Sequence, residues 1–101
     1  MKLKRPDECN SPEEIRNEID KIDQEIISLF SKRHSYIEEI VRFKNDENEI
    51  IASDRKEQVI RQRREWAASQ GLNAHIFEQI YTLLIDSNIR HEMNLLTRKK
   101  S

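Results

Sequence analysis

Arg33 interrupts an otherwise apolar seam. Ile15, Ile19, Ile22, Ile26, Leu29, Tyr36, Ile40 and Phe43 recur at steps of four and three, and the slot between Leu29 and Tyr36 holds arginine. On a helix turning about 100° per residue, Arg33 returns to the angle of Ile15, and Lys44 falls only ~20° round from Arg33. Arg16 lies ~100° off Ile15, at the edge of the stripe. Cations in an apolar setting cost several kcal/mol, roughly, unless an anion meets them. Three of them beside one seam suggest a pocket for a small, multiply anionic ligand. The competing structural reading pairs each with a carboxylate on a neighbouring helix. With 18 Lys+Arg against 19 Asp+Glu, such pairing is easy, so spacing alone leaves the two readings level.

A second interrupted seam lies near the C-terminus. Tyr81, Ile85, Asn88, Glu92 and Leu95 again step by four and three, placing an amide and a carboxylate one turn apart among apolar residues. Arg55 opens the segment between the two seams. No Ser-His or Cys-His arrangement, glycine-rich phosphate loop or metal-ligand spacing accompanies these groups, and the three histidines are scattered. Chemistry here would rest on positioning and electrostatics, which suits a unimolecular rearrangement of a polyanion.

The elements that must hold these groups are helical. The chain has 101 residues, room for one domain, with 37% charged and 36% hydrophobic residues, 1 Gly and 2 Pro, a mix that points to an all-α fold. Residues 1–10 read as a polar lead-in. Ser11-Pro12-Glu13-Glu14 is a helix start, with serine at the N-cap, proline next and acids in the first turn. The first helix is expected to run to about Asn45, roughly 33 residues or about 50 Å. A compact chain of this length has a radius of gyration near ~13 Å, too small to cover such a rod. A second copy is the economical cover, so a homodimer is expected.

Asp46-Glu47-Asn48-Glu49 reads as a polar loop. Ser53-Asp54 reads as the cap of a second helix that turns Val59, Ile60, Trp66 and Ala67 inward and a basic run, Arg61 to Arg64, outward. Interleaved with Gln62 and followed by Glu65, that run is a solvated face rather than a nucleic-acid site, consistent with a net charge of -1 and a pI near 6.3. Gly71 stands where a left-handed residue would end the helix. Asn73 should cap a third helix, running to about Leu96, with one stripe of Ile76, Ile80, Leu83 and Leu84 beside the seam already described. Residues 97–101 are expected to fray. No apolar run approaches the ~20 residues needed to span a bilayer, and the start does not read as a secretory signal. The single cysteine, Cys9, is read as incidental in a reduced, cytoplasmic protein.

These residues carry a resemblance. Pro6-Asp7-Glu8-Cys9, Ile15-Arg16, Ile19-Asp20-Lys21-Ile22-Asp23, Lys32-Arg33, Arg42-Phe43-Lys44, Asp54-Arg55 and Trp66-Ala67 through Gly71-Leu72 are similar to the all-helical chorismate mutases, nearest the branch containing isochorismate-pyruvate lyase. The resemblance covers nearly the whole chain. To the three helices read above, with a long first helix, it adds an intertwined homodimer with two equivalent sites and no cofactor. It implies that Arg16 reaches into the partner's site while Arg33, Lys44 and Arg55 come from the other chain. Arg16 and Arg33 would hold two carboxylates, Lys44 would meet the ether oxygen of the breaking C–O bond, and Arg55 would fix the ligand near the loop.

Two positions depart from the mutase pattern. After Asp-Arg a mutase usually has a glutamate that binds the substrate hydroxyl, whereas this chain has Lys56 and then Glu57; the lyase-like branch also lacks that glutamate. At 92 the family commonly has glutamine as a donor to the ether oxygen, and this chain has Glu92, which donates only when protonated. The function that the resemblance implies is rearrangement of chorismate to prephenate, with elimination of pyruvate from isochorismate to give salicylate as the close rival. A non-catalytic helical dimerisation module, with Arg33 and Glu92 paired to each other, is the reading of a different class.

Overall fold

A computed structural model describes residues 2–100, all in helices, turns and short connections with no strand among them. The helices are α1 (Pro12–Ile40), α2 (Glu47–Ile51), α3 (Ser53–Ser69) and α4 (Ala74–Lys100), with 3-10 turns at Pro6–Glu8 and Val41–Phe43. The residues fall into two compact units that divide between Tyr36 and Ile37.

In the first unit, Ser11 caps α1 as its sequence implies, its Oγ accepting from the Glu14 amide at 3.2 Å. The Glu14 carboxylate reaches back to accept from the amide of Asn10, the residue before the cap, at 2.6 Å. Lys4 ties the lead-in down, its amide donating to Glu18 at 3.1 Å and its ammonium to Glu14 at 3.3 Å. These contacts hold the Glu14 carboxyl below its ordinary value, through the Asn10 amide first and then Lys4. The seam residues Ile15, Ile19, Ile22, Ile26 and Leu29 remain 37–53% exposed within the chain.

In the second unit, the core forms where Val41, Ile50 and Leu96 meet, with Ile89, Met93 and Leu95 packed around them. Each of those three buried side chains contributes about 1.5–3 kcal/mol. The Val41–Phe43 turn, α2 and the C-terminal half of α4 are thereby fastened together, and α3 packs along α4 through the buried Val59 and Ala67.

Several local expectations are corrected. The first helix stops as an α-helix at Ile40, and Lys44 follows the 3-10 turn in extended backbone (φ −99°, ψ 135°), so its direction is not set by helical counting. The stretch expected as a polar loop contains α2, because the Asp46 carboxylate accepts from the Glu49 amide at 3.0 Å and caps it. Ala52, not Ser53, is the junction to α3; it adopts a left-handed conformation at φ 35°. Its amide closes α2 on Asn48 O and its carbonyl opens α3 by accepting from the Lys56 amide, both at 3.1 Å. Trp66 is not inward but 54% exposed, with the Arg63 guanidinium 4.6 Å above its ring. The Ile76, Ile80 and Leu83 stripe of α4 is exposed, while the Asn88–Glu92 seam is the covered one. Residues 97–100 continue α4 instead of fraying, because Lys99 is bonded inward; Ser101 lies outside the described residues.

Gly71 takes the expected left-handed conformation (φ 74°). The amides of Gly71 and Leu72 donate to Ala68 O and Ala67 O, at 3.0 and 2.9 Å, which satisfies the orphan carbonyls of α3. Asn73 Oδ1 caps α4 by accepting from the Ile76 amide at 3.1 Å.

Candidate active site

Four of the six residues singled out by sequence, Lys44, Arg55, Asn88 and Glu92, belong to the second unit, and two, Arg16 and Arg33, to the first. Glu92 and Asn88, one turn apart on α4, are only 7% and 8% exposed. Burying a carboxyl disfavours its ionised form, so burial pushes Glu92 above its ordinary value. Lys44 and then His91 pull it back down, burial being the larger influence. Lys44 is thus close enough for its charge to bear on Glu92.

Lys44 is half-buried, and its ammonium donates to Glu49 O, near the end of α2, at 3.0 Å. An ammonium has three donors, so this bond fixes the side chain and leaves two N–H groups for a ligand. Beside Glu92 on α4, His91 Nε2 lies 2.8 Å from Glu38 Oε2, which orients the imidazole through a carboxylate.

Arg55, in the first turn of α3, is exposed and donates to Gln58 Oε1 at 2.9 Å. It borders two open depressions: one lined also by Asp54, Glu57, Gln58 and Arg61, about 460 Å³, and one lined also by Asn48, Ile51, Ala52, Ser53 and Asp54, about 540 Å³. The next residue, Lys56, turns to α4 and pairs with Asp86 at 2.6 Å. On α1, Arg33 is half-buried and Arg16 exposed.

The site of the second unit is therefore a buried carboxyl under the influence of an ammonium, with an amide one turn away. Residues 15–93 match the family chorismate mutase type II, a span that takes in every one of these groups. The chain belongs to the type II chorismate mutases. It is also 32% identical, over 83 residues and 82% of each chain, to the isochorismate pyruvate lyase of Pseudomonas aeruginosa. The resemblance read from the sequence is thus shown, and the chain is an enzyme of the chorismate mutase type.

Two features of this chain were not singled out in the sequence. One is the Lys56–Asp86 pair, which occupies the side chain standing where a mutase usually has its hydroxyl-binding glutamate. The other is Lys99, whose ammonium donates to Val41 O, Arg42 O and Lys44 O at 3.2, 3.1 and 3.1 Å. A sequence signal existed for Lys99: it lies seven residues past Glu92 and three past Leu96, on the continuation of the covered seam.

No helix among the described residues is long and apolar enough to cross a membrane.

Proposed function

We propose that this protein rearranges chorismate to prephenate within a homodimer, without a cofactor. The observation that carries the reading is the buried Glu92 carboxyl with the Lys44 charge bearing on it. In the rearrangement one C–O bond breaks as a C–C bond forms, and no proton enters or leaves. The catalyst has only to hold the folded substrate and stabilise negative charge growing on the ether oxygen. Lys44 supplies the opposing positive charge directly, and Glu92 in its protonated form donates a hydrogen bond to the same oxygen. Asn88 is placed to support Glu92 or the ligand from the preceding turn. Arg33, and Arg16 from the second copy, hold the two carboxylates, while Arg55 fixes the ligand beside the α2–α3 junction.

The exposed seam of α1 supports the dimer, since five apolar residues at helical spacing call for a partner face. The cytoplasm is the compartment that the single cysteine suits.

The second reading, elimination of pyruvate from isochorismate, is favoured by the similarity to the lyase and by the engagement of Lys56 with Asp86. Purified protein given chorismate and isochorismate separately decides between them. Prephenate from chorismate is expected. Salicylate and pyruvate from isochorismate with no prephenate from chorismate selects the second reading. Neither product from either substrate removes both.

A further inference from the structure

We propose that Lys99 is a positioning residue for catalysis, holding the turn that presents Lys44; the catalytic half of this inference rests on the function proposed above. The C-terminus of a helix leaves carbonyls without partners and carries partial negative charge, which a cation satisfies. At the end of the Val41–Phe43 turn three carbonyls, of Val41, Arg42 and Lys44, converge on the one ammonium of Lys99. Three donors thus meet three acceptors, which matches the full donor capacity of a lysine. One of the acceptors is the carbonyl of Lys44 itself, so the tether acts on the peptide that carries the side chain.

The surrounding contacts make this bond a positioning device and not a chance surface contact. The tether starts from α4, the helix that carries Glu92, and Leu96 between them is buried against Val41. Lys44 is held at its other end by its bond to Glu49 O and by its own amide, which donates to Val41 O at 3.0 Å. The Lys44 amide and the Lys99 ammonium thus share the Val41 carbonyl in holding the turn, and Lys44 and Glu92 are both referred to α4. Although Lys99 as a residue is exposed, no substrate role is needed for it to act. A displacement of about 1 Å at a reacting group is enough to cost a large factor in rate.

The experiment compares Lys99→Met and Lys99→Arg with wild type, each also in a Lys44→Ala background. Lys99→Met keeps the length of the side chain and removes its donors. It should lower kcat roughly ten-fold while KM changes less than about three-fold, because the Lys44 contact is made chiefly in the transition state. Lys99→Arg, which restores donors, should recover most of the rate. In the Lys44→Ala background the Lys99→Met effect should vanish, since the residue that it positions is gone. Hydrogen exchange at the Lys44 amide should quicken in Lys99→Met. Unchanged kcat, or an equal loss with and without Lys44, overturns the positioning role. An inactive wild type overturns the proposed function instead, and the exchange comparison then still decides whether the tether holds the turn.

Discussion

The two interrupted seams of this chain look alike in sequence and differ in the folded chain. The α1 seam, Ile15 to Leu29, is left 37–53% exposed, whereas the α4 seam covers Asn88 and Glu92 almost completely. Periodicity reports that a face needs a partner and says nothing of which chain supplies it. Where the partner is the same chain, the cost of a polar insertion is already incurred on folding, as it is at Glu92. Where it is a second copy, the cost is incurred on assembly. The same pattern is therefore a covered wall in one helix and an exposed apolar face in the other.

The largest effect is expected from an attack on the exposed seam. Ile19→Asp with Ile26→Asp places two carboxylates on it and should abolish assembly, with loss of cooperative unfolding. Sedimentation of the wild type at low micromolar concentration should give twice the 12.2 kDa chain mass. A stable, folded wild-type monomer would remove the assembly half of the comparison.

On the covered side, Leu96→Ala should cost about 2–5 kcal/mol of stability, read as a fall in denaturant midpoint, because it opens a cavity against Val41 and Ile50. A cost under about 0.5 kcal/mol, the size of a surface change, would show that the α4 seam is not a packed wall. Lys44→Ala should lower kcat/KM at least ~100-fold, or about 2.7 kcal/mol, with the fold unchanged by circular dichroism. Near-wild-type turnover would place the reacting atoms elsewhere.

The long helical elements and the second seam were legible because caps and periodicity are local. Ser11, Gly71 and Asn73 behave as their types require. The misreadings arose where tertiary contacts decide. Asp46 caps a helix in a stretch whose charge alone suggested a loop, and it does so because Ile50 gains burial against Leu96. Trp66 finds an Arg63 face instead of the core, and an exposed indole is not recognisable from hydropathy. Lys44 was located by number on a helix that ends before it; its orientation depends on Lys99 and Glu49, 55 and 5 residues away along the chain. Arg16 and Arg33 were picked by angle, but an angle identifies a face and not its ligand.

The central claim is that a buried carboxyl of the α4 seam works as an acid. Burial raises the Glu92 carboxyl, while Lys44 and His91 oppose that rise. With a folded value above the ordinary one, Glu92 contributes stability fully below the ordinary carboxylate range, and that contribution is lost as pH rises through the folded value. In the proposed reaction, bound substrate would add to the protonated side, since its carboxylates would offset nearby cations and its ether oxygen would accept from the acid. Activity should therefore fall as pH rises, through an apparent value that belongs to the complex. Glu92→Gln supplies a permanent donor of the same length, so parallel pH–rate profiles of the wild type and this variant are the most direct test. The account predicts an alkaline decline in the wild type that is flattened in Glu92→Gln; the same alkaline limb in both would contradict it.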